Sequence, residues 1–389
     1  MKIYKNINVF DESLNRIRFL FDEFEDVVVN FSGGKDSTVL FNLALIVAKE
    51  KNRLPLKVFF IDQEGEWQCT IDYIKKVMNN PDVDPYWFQI PFRIFNASSY
   101  DEPWLNCWEE GKHWMREKDE LSYKENIYGV DRFKDLFKAI HDKEFSSKKT
   151  CKLGGVRCEE SPTRERGLTG SITYKHITWG RIEDKAKNNY TFYPLYDWTF
   201  TDVWKAIHDN NWDYCKLYDY MYRYGVPRDK MRVSNITHET ALASLYFMQE
   251  VEKETWNKLV NRIKGINTVG QGKDDFLKVK ELPFMFESWT EYRDYLLDNL
   301  INSEEIKEKF RNKFNNPRIL ACMDNELFNI KFNKKCIQAI LKNDYHSSIL
   351  DTFTGVCTQT LFIRYKTKGI VPEKGNIYYE YEQRNKETD

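Results

Sequence analysis

The chain has 389 residues, 41% of them hydrophobic and 15% aromatic, so a substantial core is available and global disorder is excluded. Lys plus Arg number 59 against 60 Asp plus Glu, a net charge of −1, which rules out an overall basic field and confines any nucleic-acid contact to a local patch. No apolar run approaches a membrane span and Met1–Tyr4 do not open a secretory signal, so the expectation is a soluble cytoplasmic protein with no membrane partner.

Residues 1–25 read as an amphipathic helix, with Leu14, Ile17, Leu20, Phe21 and Phe24 near one stripe and Asp11 as its cap. The β-branched block Asp26–Phe31 reads as a buried parallel strand. Ser32-Gly33-Gly34-Lys35-Asp36-Ser37 follows, and then Val39, Leu40, Leu43, Ile46 and Val47 at helical spacing. Strand, Gly-Gly turn and helix in that order make a phosphate cradle. The glycines let the backbone approach an anion, and the helix start offers free N–H groups and the positive end of its dipole. Ser32 and Ser37 add hydroxyl donors, and Lys35 adds a point charge. The spacing is not that of the common P-loop, which needs four residues between its first Gly and Gly-Lys-Ser/Thr.

Leu56–Asp62 reads as a second buried strand ending in an acid, and the alternation continues through Thr70–Met78 and Tyr86–Ile90. That pattern predicts an α/β fold with a doubly wound, mostly parallel sheet, whose ligands sit at the carboxyl ends of the strands. Residues 91–150 look like an insertion over the site, with Trp104, Trp108 and Trp114 filling a satellite core and His113 and His141 at the surface. In Lys152–Arg166 a Gly-Gly turn precedes Arg157, then Glu160-Ser161-Pro162 marks a helix start, then Arg164 and Arg166 follow. Ser161 can cap, Pro162 suits the first helical position, and the arginines can reach an anion.

Tyr174–Trp179 and Tyr190–Leu195 read as strands joined by a basic turn carrying Arg181, Lys185 and Lys187. Thr199 caps the next helix with Asp202 at the capping-box position, and Val203, Trp204 and Ile207 form its buried face. From about residue 227 helical patterns take over, at His238–Met248, Lys253–Ile263, Trp289–Leu300, Glu304–Phe314 and Asn325–Leu341. The domains expected are 1–226 for the sheet and 227–389 for a mostly helical module. The eight cysteines show no Cys-x-x-Cys spacing and are expected to be buried or idle thiols rather than disulfides.

Ser-Gly-Gly-Lys-Asp-Ser resembles the pyrophosphate loop of the adenine nucleotide α-hydrolase-like enzymes, which include phosphoadenosine phosphosulfate (PAPS) reductases, ATP sulfurylase small subunits and ATP pyrophosphatases. Gly155, Arg157, Glu160, Ser161 and Arg164 match the Gly-x-Arg-x-x-Glu-Ser-x-x-Arg segment of the PAPS reductases, which faces the nucleotide, and Tyr193–Trp204 resembles a further family segment. Asp62–Gln68 resembles the acidic second-strand segment of these proteins. The resemblance implies ATP or a related adenine nucleotide at Ser32–Ser37. Asp36 and Asp62 would hold magnesium, with Asp62 otherwise on the ribose or capping the next helix, and Glu64 and Glu66 are undecided. Arg157, Arg164 and Arg166 would clamp phosphates or a second anion.

Arg228–Glu239 and Arg262–Thr268 resemble an extension found on a branch similar to the immunoglobulin-binding regulator A proteins, typically paired with a ParB/sulfiredoxin-like protein. His238 in this stretch is either a site residue or a structural one. The reductases' Glu-Cys-Gly-x-x-His segment has no counterpart here, and Cys357 lacks its neighbours, so reduction by a thiolate is not expected. The expected chemistry is attack at the α-phosphorus with release of pyrophosphate, as in an ATP pyrophosphatase or adenylyltransferase, with Lys35 and the loop amides stabilising the departing charge. Two alternatives stand beside it. One is a nucleotide-sensing co-regulator, meeting nucleic acid through its partner or the basic segment 181–187. The other is sulfur transfer to nucleic acid, which needs a cluster or persulfide on Cys151 and Cys158.

Overall fold

The computed structural model describes residues 6–99, 102–145, 148–184, 189–233, 235–238, 245–266, 281–320, 322–344 and 348–351. The segment containing Cys357, the basic residues Lys185 and Lys187 and the final residues lie outside these. Two compact units, each discontinuous in sequence, make up the chain: Met1–Ile94, Leu105–Ile236 and Phe247–Arg262 form the first, and Phe95–Trp104, Thr237–Tyr246 and Ile263–Asp389 the second.

A six-stranded sheet organises the first unit, built from β1 (Asp26–Asn30), β2 (Leu56–Ile61), β3 (Val83–Phe88), β6 (Thr150–Leu153), β7 (Gly180–Asp184) and β8 (Asn189–Phe192) in the order β3-β2-β1-β6-β8-β7. Five strands are parallel, and β7 joins the edge antiparallel to β8. The order reverses direction at β1, so its carboxyl end is the topological switch point of a doubly wound sheet, where a crevice opens. Val27, Val28 and Val29 are buried, as a central strand covered on both faces requires. Helix α1 (Val9–Glu23) buries Leu14, Ile17, Leu20 and Phe21, but Asn8 caps it by accepting from the Asp11 N–H at 2.8 Å. Asp11 lies instead in the first turn.

Between β3 and β6 the chain forms β4 (Phe92–Phe95), β5 (Trp104–Cys107) and helix α4 (Phe133–Glu144). Trp108 is buried in a local core against Trp114, as expected of a satellite cluster. His113 is exposed. His141 is not at the surface: it is buried on α4, both ring nitrogens lack a hydrogen-bond partner among the described residues, and burial pushes its pKa down to about 4. The penultimate strand also differs from expectation. Tyr174 and Ile177 form only an isolated bridge, and the ladder to β8 begins at Gly180, which puts Arg181 on the edge strand rather than in a turn. Gly180 explains the shift, because a Cβ there would lie 2.7 Å from the Phe192 ring that crosses it.

In the second unit, helices Trp289–Leu300, Glu304–Phe314 and Glu326–Leu341 match the expected helical patterns closely. Leu297, Ile306, Phe310, Phe314, Phe332 and Ile337 form its core. Arg293 is buried there, over the Phe314 ring and donating to Asn333 at 2.9 Å. Cys322 is disulfide-bonded, against the expectation of idle thiols, whereas Cys69, Cys107, Cys151, Cys158, Cys215 and Cys336 are free.

Candidate functional site

The turn after β1 is held open by its own side chains. Ser37 Oγ donates to the Gly34 carbonyl at 2.9 Å and accepts from the Ser32 N–H at 3.3 Å. Gly33 has φ +73°, in the left-handed region, and a Cβ there would press on Thr70 and Ile74 at 3.2 and 3.3 Å, so this position favours glycine on two counts. Helix α2 (Lys35–Glu50) starts at Gly34 with no side-chain cap. The N–H groups of Gly33, Gly34, Asp36 and Ser37 find no acceptor among the described residues, while that of Lys35 donates to the Tyr218 hydroxyl at 3.0 Å. Orphan donors at the positive end of a sixteen-residue helix are the groups an anion site needs.

Lys35 is buried, 3.0 Å from Asp36 and within 6 Å of the Phe200 and Tyr218 rings. Burial lowers its pKa, Asp36 opposes the shift, and like charge on Arg157 and Arg232 adds to it. Arg157, also buried, grips the other Asp36 oxygen through Nε and Glu159 through Nη1 at 2.8 Å, and its own N–H donates to Glu160 at 3.0 Å. Gly155 packs flat on the start of α2: a Cβ would stand 3.0 Å from Asp36 C and Ser37 N. Ser161 caps helix α5 (Pro162–Thr169) by accepting from the Arg164 N–H at 3.2 Å. Arg164 is part-exposed, ion-paired to Glu160, with its pKa lowered by burial first and by Arg232 second.

These groups line one cleft of roughly 1340 Å³ in the first unit. It brings together Ser32, Gly34, Lys35, Asp36, Ser37, Gly155, Arg157, Glu160, Ser161 and Arg164 of the expected set. Gly33 supports the turn without lining it, and Arg166 points away, donating to the Pro162 carbonyl at 3.4 Å. Helix α4, from the segment expected to cover the site, contributes Phe133, Lys134, Phe137 and Lys138. Tyr218, Arg228, Arg232 and Lys152 line the cleft without having been expected. Arg228 and Arg232 lie in the stretch noted for its family likeness, so their charge was the available signal; Tyr218 offered none.

Asp62 is placed differently. It is fully buried and accepts from the Glu64 N–H at 2.9 Å, from Trp87 at 3.2 Å, from Gln89 at 2.9 Å and from Arg116. Glu64 is likewise consumed, holding Trp108 N–H at 2.6 Å and Arg262 at 2.7 Å. The two acids knit together the loop after β2. Neither lines the cleft. Both oxygens of Asp36 already face cations, and among the described residues no group of three or more His, Cys, Asp or Glu side chains is arranged to hold a metal ion. The side chains present therefore do not fit a magnesium ion coordinated by Asp36 and Asp62.

Glu66, beside Asp62, is buried, and burial first, then the Asp62 charge, raises its pKa to about 8. The folded chain thus keeps this proton at pH values where the unfolded chain, near its ordinary 4.5, has lost it. Stability from this group is present below the lower value and falls as pH rises toward the higher one. Glu66→Gln should flatten that decline: denaturant midpoints at pH 6 and pH 9 should differ less in the variant than in the wild type.

Residues 26–224 match the phosphoadenosine phosphosulfate reductase domain, and residues 225–321 match a domain of unknown function, DUF3440. The chain is 27% identical over 337 residues to the uncharacterized protein YbdN of Escherichia coli, covering 80% of each. It is 24% identical over 236 residues to sulfate adenylyltransferase subunit 2 of Aliivibrio fischeri, covering 57% of this chain and 70% of that one. Among solved structures, Candida glabrata FMN adenylyltransferase in complex with FAD and inorganic pyrophosphate is similar at TM-score 0.35 and 17% identity, covering 56% of this chain and 64% of that one.

Proposed function

Because the chain belongs to the phosphoadenosine phosphosulfate reductase domain family, we propose that its cleft binds ATP with the outer phosphates on the Ser32–Ser37 turn and promotes substitution at the α-phosphorus. The observation that carries this reading is the set of unsatisfied N–H groups at the start of α2 beside a buried Lys35. An acceptor oxygen or nitrogen forms a bond to the α-phosphorus, the bond to the bridging oxygen breaks, and its electron pair leaves on pyrophosphate. Charge grows on that leaving group, and the loop donors and Lys35 would stabilise it more in the transition state than in the ground state. Asp36, held between Lys35 and Arg157, orients both cations, and Arg164, Arg228 and Arg232 supply further positive charge at the cleft wall.

Magnesium would come with ATP as part of the substrate, and neither Asp36 nor Asp62 is assigned to it. The test is incubation of the full chain with α-labelled ATP and magnesium. The expected products are labelled AMP, or a labelled acceptor, and pyrophosphate; labelled ADP would overturn the reading. Tight binding without turnover would favour the sensing role, with the partner and any nucleic-acid contact then sought through the segment after residue 225.

A further inference from the structure

The cleft continues past the phosphate turn, over the sheet face that α4 covers, and there its lining changes character. Lys152 on β6 pairs in register with Val28 on β1 and Thr191 on β8, so all three share that face with Asn30 and Asn189. Lys152 is 6% exposed and Asn189 0% exposed, and both line the cleft. Among the described residues, neither Asn189 Oδ1 nor Nδ2 has a hydrogen-bond partner, and Asn30 Oδ1, also at the cleft, has none. Lys152 forms no ion pair or side-chain hydrogen bond among the described residues. Phe59, which pairs with Asn30 and so shares this face, meets Phe137 of α4 with ring centroids 5.8 Å apart, and Phe137 meets Phe133 at 5.1 Å, so the three rings make an aromatic wall of the cleft.

Central parallel strands ordinarily present aliphatic side chains to the helix layer. Here a buried cation, the unsatisfied amide of Asn189 and the unsatisfied Oδ1 of Asn30 replace them, and each costs stability unless something pairs with it. Burial lowers the Lys152 pKa, with Glu183 and Asp142 opposing. A purine base is neutral and would leave the ammonium unpaired. An oxyanion would pair with it, accept from Asn189, and set an apolar body against the phenyl wall.

We propose that this inner part of the cleft is a separate binding site for a small organic acid with an aromatic or similarly apolar body, its carboxylate held by Lys152 and Asn189. The site does not depend on turnover of ATP, so the two readings fail separately.

The experiment is titration of the full chain with benzoate and with benzamide, its uncharged counterpart, by calorimetry and ligand-observed NMR. Benzoate should bind at one site, at least about tenfold more tightly than benzamide. Lys152→Met should abolish that preference and raise the thermal midpoint, since an unpaired buried cation is removed. Asn189→Leu should weaken benzoate without restoring benzamide. A saturating non-hydrolysable ATP analogue should leave benzoate affinity essentially unchanged. Absence of benzoate binding, equal binding by Lys152→Met, or mutual exclusion with the ATP analogue would each overturn the proposal, the last by making this the nucleotide's own base pocket.

Discussion

Under the proposed reaction, Lys35→Met is expected to lower the rate of substitution at the α-phosphorus by about 10²–10³-fold, the range seen when one preorganised donor to a developing anion is removed. The loss should fall on kcat more than on KM, because pyrophosphate charge grows only as the bond breaks. Lys35 is buried, and only Asp36 is an ion-pair partner to it within the described residues. Removing it therefore frees an Asp36 oxygen while Arg157 still holds the other, which should keep the fold intact. Single-turnover measurement with α-labelled ATP, alongside a thermal melt, separates the two effects. A variant that melts normally but cleaves at the wild-type rate would remove Lys35 from the chemistry.

Gly155→Ala should be the second most damaging change, although it adds a single methyl group. Its Cβ would meet the backbone of Asp36 and Ser37 at 3.0 Å, and backbone at a helix start cannot move aside as a side-chain tip can. Overpacking of this kind costs about 1–3 kcal/mol. The relief available is to push the start of α2 away from β6, which would displace the turn N–H groups proposed to hold the phosphates. Nucleotide affinity is therefore expected to fall by about tenfold or more, measured by equilibrium binding of a non-hydrolysable ATP analogue. Gly154→Ala is a useful contrast, since its Cβ would press on the Tyr193 ring at 2.8 Å rather than on the loop backbone.

Much of the phosphate end was legible because it is local. Strand, turn and helix succeed one another within Asp26–Glu50, and Ser161 and Thr199 cap their helices where capping chemistry placed them. What sequence could not reveal depends on which side chains meet across long separations. Asp62 sits at a strand end, as a ligand-binding acid would, yet Arg116 and Gln89 from the segment after β3 claim it. Tyr218 reaches Lys35 from 183 residues away. Lys152 reads as an ordinary lysine until the register with Val28 and Thr191 puts it on a buried face. His141 misled for the same reason: its polarity suggests solvent, and only the helix packing buries it.

The way the loop after β2 is secured bears on how this chain can be divided. Glu252 accepts from the N–H groups of Gln68 and Cys69 at 2.8 and 2.9 Å, supplying the cap that helix α3 (Gln68–Met78) lacks from its own preceding residue. Arg262 neutralises Glu64, and Phe247 covers the Trp67 ring at 5.2 Å. All three come from beyond residue 224, where the reductase-like match stops. A cut at that seam would strand a buried carboxylate without its counter-charge and strip a tryptophan of its cover. The stretch of unknown function is thus no detachable accessory. Part of it is scaffolding for the loop after β2 and the start of α3.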